Sequence, residues 1–179
     1  MSIGPLVVGV AVDADVEELA SVAAATFPLA CPPTSAPENV AAFVAANLSP
    51  QMFSSYLSDH QRAVLTARLG DRIIGYAMVV HGVGADPDVG SAVRLRPAAE
   101  LSKIYVLPAS HGSGAAAALI EAAVQWALDA RARCVWLGVN QRNARAHRFY
   151  AKHGFRITGT KMFQLGADFE NDFVMVRPL

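Results

Sequence analysis

The stretch Tyr105-Val106-Leu107-Pro108-Ala109-Ser110-His111-Gly112-Ser113-Gly114-Ala115-Ala116 constrains this chain more than any other. A β-prone run ends in a proline turn, passes through a loop of small residues and opens onto an apolar helix over Ala115 to about Ala130. Beyond it, Cys134-Val135-Trp136-Leu137-Gly138-Val139-Asn140 is again short, apolar and β-prone. Strand, loop, helix and strand make a βαβ unit, two parallel strands of one sheet joined by a right-handed crossover. The first N–H groups of such a helix point outward unpaired, with the positive end of the helix dipole behind them, so an anion such as a pyrophosphate fits there. Gly112, Ser113, Gly114, Ala115 and Ala116 carry too little side chain to hold a phosphate off the backbone. By itself the loop is equally a plain tight turn.

The residues after the second strand add weight. In Asn143-Ala144-Arg145-Ala146-His147-Arg148-Phe149-Tyr150-Ala151-Lys152-His153-Gly154-Phe155, Asn143 can cap a helix, Ala146, Phe149 and Tyr150 share a face, and Gly154 stops it. Elsewhere the pattern predicts a strand over Ile3–Val12 and a helix over Val16–Phe27. It predicts further helices starting at Pro37 and Pro50, and a hairpin of Ala63–Leu69 with Arg72–His81 about Gly70-Asp71. Gly82–Pro97, rich in Gly, Asp and Pro, reads as a mobile loop. Glu100–Leu107 is the strand that feeds the glycine loop, and Phe155–Leu165 and Asp172–Pro178 close the chain around an acidic turn with Asp168 and Glu170. The result is an α/β chain of about seven strands and five helices.

At 179 residues one domain spanning 1–179 is the natural expectation, and 53% hydrophobic against 17% charged residues supplies a substantial core. A formal net charge of +0 argues against a nucleic-acid scaffold. The longest apolar stretch, Gly114–Leu128, is broken by Glu121 and Gln125 and is too short to span a bilayer. Cys31 and Cys134 have no metal-ligand spacing and fit a reducing cytoplasm, and no leader pattern opens the chain.

These motifs, in this order, resemble the GCN5-related N-acetyltransferase (GNAT) superfamily. Its acyl-CoA signature, Arg/Gln-x-x-Gly-x-Gly/Ala after a Tyr-Val-x-Pro strand end, is met by His111, Gly114 and Ala116 after Tyr105-Val106-Leu107-Pro108. Its later Asn-x-x-Ala-x-x-Phe-Tyr pattern, followed by Gly-Phe, is met by Asn143, Ala146, Phe149, Tyr150, Gly154 and Phe155. Within the superfamily the chain looks most like PaiA-type polyamine acetyltransferases, through Thr26-Phe27, Pro37-Glu38-Asn39, Trp136-Leu137-Gly138-Val139 and Asp172-x-Val174-Met175. The resemblance implies a three-layer fold with a mixed, mostly antiparallel sheet of about seven strands flanked by helices and one central βαβ acyl-CoA-binding unit. Two positions depart from it: His111 stands where Arg or Gln is usual, and Ser113 where a basic residue is common.

The reaction so implied is attack of a primary amine of a small molecule, a polyamine first, on the thioester of acetyl-CoA in a ternary complex. A free amino acid, an antibiotic and a protein amine are other acceptors, and a non-catalytic acyl-CoA-binding regulator is the reading from another class. The resemblance is compatible with a homodimer and calls for no nucleic acid, membrane or metal. By resemblance, Ile104, Tyr105 and Val106 run beside the pantetheine arm, with the Val106 N–H polarising the thioester oxygen, residues 112–116 take the pyrophosphate, and Asn143 bonds the pantetheine. An alkylamine of pKa about 10.4 is free base in only about one molecule in a few thousand at pH 7, a cost of roughly 4–5 kcal/mol, so a base is needed. Glu100 is the first candidate and His81 the second; each is equally a strand-end residue. Tyr150 matches the family tyrosine that hydrogen-bonds or protonates the departing sulfur. A phenol (about 10) is a weaker acid than a thiol (about 8.5), so full transfer in the ground state is uphill by roughly 2 kcal/mol.

Overall fold

A computed structural model describes residues 4–179. In chain order the elements are β1 (Leu6–Val10), α1 (Val16–Ala30), α2 (Pro37–Asn47), α3 (Pro50–Ser58), β2 (Arg62–Leu69), β3 (Arg72–His81) and α4 (Pro87–Ala92). There follow β4 (Ala98–Val106), α5 (Ala115–Asp129), β5 (Cys134–Asn140), α6 (Ala144–Lys152), β6 (Arg156–Leu165) and β7 (Asp168–Pro178). One sheet runs β1-β2-β3-β4-β5-β7-β6, antiparallel at every pairing except β4–β5, where the βαβ unit sits.

Helix α5 forms because Ala115, Leu119, Ile120, Ala123, Val124 and Ala127 recur at helical spacing and bury together, in a segment rich in strong helix formers. Each buried Leu or Ile contributes roughly 1.5–3 kcal/mol against exposure. It packs on one sheet face with Leu65, Val79, Leu101, Leu137 and Met175, and Ala146, Phe149 and Tyr150 of α6 join that cluster. On the other face α1, α2 and α3 cover Val64, Ile73, Tyr76, Met78 and Leu165, with Phe27 stacked on Phe43 at 4.5 Å. The sheet is therefore the middle of three layers.

The structure corrects the sequence reading in three places. Residues 82–97 are not a mobile loop but carry α4. Asp86 accepts a hydrogen bond from the Asp88 N–H at 2.9 Å as the cap, and Val89 and Val93 bury against Trp136, Val174 and Val176. Two valines four apart after an Asp-Pro start gave that helix a face to hide, and the α-helices among the described residues thus number six. Strand β7 begins at Asp168, so Asp168 and Glu170 pair with Leu165 and Phe163 across a turn at Gly166-Ala167. The first strand is shorter than expected, and Ile3 lies outside the described residues.

Candidate active site

The site exists because β4 and β5 pair only at Ala98–Cys134, Ala99–Val135 and Glu100–Trp136 and then part. Beyond Glu100 one side of β4 has no strand beside it, and a cavity of about 610 Å³ opens between Leu101–Val106 and Gly138–Asn140. The Leu107 N–H reaches the Ile74 carbonyl in β3 at 2.8 Å. Strand alternation then turns the N–H and C=O of Val106, and of Ile104 two residues back, toward the gap, while those of Tyr105 face β3. The Tyr105 ring instead packs edge-on to Phe27 at 6.4 Å and tilted to Tyr76 at 5.9 Å.

At one end of the gap lies the start of α5. Gly112 (φ 84°) and Gly114 (φ 86°) take left-handed conformations that turn the loop onto the helix. Ser113 Oγ accepts from the Ala115 N–H at 3.3 Å. Among the described residues no acceptor meets the N–H of Gly112, Gly114, Ala116 or Ala117, so four donors and the helix dipole face the cavity mouth. His111 does not reach outward. Its Nε2 lies 3.0 Å from the Val106 carbonyl and its Nδ1 3.3 Å from Arg145 Nη2. Arg145 thus brings the fixed positive charge that position 111 lacks, and only contact across 34 residues discloses it.

Helix α6 closes the gap from the α5 side. Asn143 Oδ1 accepts from the Ala146 N–H at 3.1 Å, capping the helix and leaving its amide nitrogen for other partners. One further turn on, Tyr150 lines the cavity beside Phe149 and Phe155. Burial pushes the Tyr150 hydroxyl pKa well above the ordinary phenol range, so it stays a neutral donor through the physiological range.

Glu100 enters from the opposite face, with Lys103, Lys161, Glu170 and Asp172. Met78 pairs with Lys103 and Val79 with Leu101, which leaves Ser102 as a bulge in β4. Without that extra residue Lys103 would point away from Glu100; with it both occupy one face. Burial raises the Glu100 pKa, opposed by the Lys103, Lys161 and Arg62 charges. Asp172, on β7 opposite Asn140 and Lys161, is 8% exposed, and burial lifts its pKa to about 6, opposed by Lys161 and helped by Glu170. Sequence reasoning used Asp172 only as part of a strand motif. Its local signal is an acid just ahead of the buried run Val174-Met175-Val176, but its neighbours come from pairing with β5 and β6. Gly138 makes room for it: a Cβ there would lie 3.3 Å from Asp172 Oδ2 and 3.3 Å from Lys161 Cδ.

Other candidates lie elsewhere. His81 lies tilted against Trp126, ring centres 4.4 Å apart, at the far end of β3 and does not line the cavity. Trp136 is core, its indole donating to the Gly82 carbonyl at 2.9 Å. Among the arginines of α6 and the turn before it, Arg145 lines the cavity, while Arg142 reaches Thr34 at 3.2 Å. Cys134 is buried, and Cys31, a wall of the cavity, is held protonated by burial.

Residues 24–155 match the model of the acetyltransferase (GNAT) family. An uncharacterized N-acetyltransferase of Mycobacterium tuberculosis is 58% identical over 165 residues, covering 92% of this chain and 98% of the relative. Another, from Archaeoglobus fulgidus, is 30% identical over 104 residues, 58% of this chain and 67% of that protein. Among solved structures, the PaiA N-acetyltransferase of Thermoplasma acidophilum in complex with coenzyme A superposes with a TM-score of 0.76 over 98% of this chain and 99% of that one, at 17% identity. The ribosomal-protein-S18-alanine N-acetyltransferase of Escherichia coli gives 0.68 over 97% and 94%, at 15% identity. With the parted β4–β5 pair and the open α5 terminus in the middle of the matched region, the chain belongs to the GNAT family of N-acetyltransferases.

Proposed function

We propose that the protein moves the acetyl group of acetyl-CoA directly to the primary amine of a small molecule, both held at once in the β4–β5 gap. One observation carries this reading: the gap has free backbone donors and Arg145 at one mouth and the buried Asp172 with the half-buried Glu100 at the other, with Tyr150 lining the passage. The unpaired N–H groups of Gly112, Gly114, Ala116 and Ala117 suit the pyrophosphate, and the exposed edge at Ile104 and Val106 suits the amide-rich pantetheine arm as an added strand. Asn143, with its amide nitrogen free, completes that path.

The amine nitrogen bonds to the carbonyl carbon, the carbon–sulfur bond breaks, and the products are an N-acetyl amine and coenzyme A. Glu100 takes the proton that the ammonium sheds before attack, its raised pKa bringing it closer to the working pH, and the second proton, lost from nitrogen as the amide forms, balances the one the sulfur gains. The Val106 N–H polarises the carbonyl oxygen, and the Tyr150 hydroxyl supplies a hydrogen bond or proton to the leaving sulfur. Asp172 holds the ammonium before deprotonation. All these groups belong to a single chain, whose two free cysteines suit a reducing cytoplasm. A linear polyamine is one acceptor to try, drawn by Glu100, Glu170 and Asp172, and an amino acid is another, since Lys103 and Lys161 line the same end.

The test is thiol release from acetyl-CoA with spermidine, spermine, amino acids and aminoglycosides, beside the Tyr150→Phe variant. Turnover that falls steeply in the variant supports the reading. Coenzyme A binding without turnover on any of these amines replaces it with a protein amine as acceptor or with a non-catalytic acyl-CoA sensor.

A further inference from the structure

Five charged side chains line the acceptor end of the cavity: Glu100, Lys103, Lys161, Glu170 and Asp172. None forms an ion pair within 4.0 Å; the ion pairs of the described residues are Arg62–Asp59, Arg68–Asp15, Arg72–Glu18 and Arg177–Glu121, all outside this cavity. Lys161 stands directly across from Asp172 in the β6–β7 ladder, yet its ammonium lies 5.9 Å over the Phe163 ring. Lys103, part-buried, reaches only the hydroxyl of Ser102, at 3.5 Å. A lysine chain is long enough to close such gaps, and lysines whose task was to neutralise these acids would lie against them. Unpaired charge in a part-buried cavity is costly, and a ligand of complementary charges removes that cost.

A purely cationic chain satisfies the three acids and adds repulsion at the two lysines. We infer that the acceptor is an amine bearing its own anionic group, of the amino-acid kind, with its ammonium at Glu100 and Asp172 and its anion between Lys103 and Lys161. The inference rests on the acetyl-transfer reading and names its substrate class. The Ser102 bulge is the device that turns Lys103 onto the acceptor face. Burial lowers the Lys103 pKa, and an anion arriving beside it reverses that shift.

The experiment is a thiol-release assay of the full chain with acetyl-CoA and matched amines: L-amino acids and ω-amino acids against their amides, phosphoethanolamine against ethanolamine, and spermidine. We expect kcat/KM at least tenfold higher for the acid than for its amide, and the ratio falling to within about threefold in Lys103→Gln or Lys161→Gln. The carboxylate and phosphate arms show which anion fits. Equal rates on acid and amide, or spermidine as the preferred acceptor, overturn the inference and leave acetyl transfer standing. No release with any amine, while coenzyme A still raises the melting temperature, overturns both. The wild-type comparison decides the matter even if a variant fails to fold.

Discussion

Replacing Asp172 with Asn should stabilise the protein above neutrality while damaging its activity. Burial raises this carboxyl from its ordinary 3.8 to about 6 in the folded chain, with Lys161 opposing and Glu170 adding to the rise. A carboxyl bound more tightly to its proton when folded stabilises the fold fully below about pH 4, and that contribution is lost as pH rises through about 6. The difference between 3.8 and about 6, at roughly 1.36 kcal/mol per tenfold, makes the charged form cost about 3 kcal/mol at pH 8. Asn keeps the shape and never ionises. Urea unfolding of Asp172→Asn and wild type should therefore agree within roughly 0.5 kcal/mol at pH 4 and diverge to as much as about 3 kcal/mol in favour of the variant at pH 8, or about 6–12 °C in melting temperature. The same variant should raise the KM for the amine at least tenfold, the usual opposition of stability and function at a buried charge. A variant less stable than wild type at pH 8, or a difference that does not change with pH, refutes the argument that the carboxylate is held there at a cost.

Other expectations follow from the same geometry. Gly114→Ala forces a side chain into φ 86° and should cost about 1–2 kcal/mol of stability and weaken coenzyme A binding at least tenfold by calorimetry. Arg145→Ala removes the guanidinium beside His111 and should weaken coenzyme A by roughly 10- to 100-fold, the worth of a charge-assisted hydrogen bond. Tyr150→Phe should lower kcat by roughly 10²–10⁴-fold, the range of proton-transfer assistance, and an unchanged kcat would remove Tyr150 from the chemistry. Gly138→Val drives a branched side chain at Asp172 and Lys161 and should raise the KM for the amine with the coenzyme A dissociation constant kept within about twofold.

Much of the proposed cofactor half was legible in the chain because it is written locally. The loop His111–Ala116, the α5 stripe and the Asn143 cap each depend on residues within a few positions of one another, where steric preference and helix periodicity act directly. Helix α4 was missed because its start signal sits among Gly, Asp and Pro residues that equally spell a loop, and burial of Val89 and Val93 against β5 and β7 decided the matter. The acceptor half was the least legible. Asp172 and Lys161 come to flank the space over Gly138, without an ion pair, only through the β5–β7–β6 order, Arg145 reaches His111 across the loop, and the Ser102 bulge reverses the side on which Lys103 falls.

Sequence alone thus determined the βαβ unit, the glycine loop with its unpaired amides and the family to which they belong, since backbone conformation and hydrophobic period are local properties. Tertiary structure alone decided where β4 leaves β5 and which five charged side chains face the space between them. Charge recognition depends on distance in space, and residues separated by tens of positions acquire one only when the sheet sets their register.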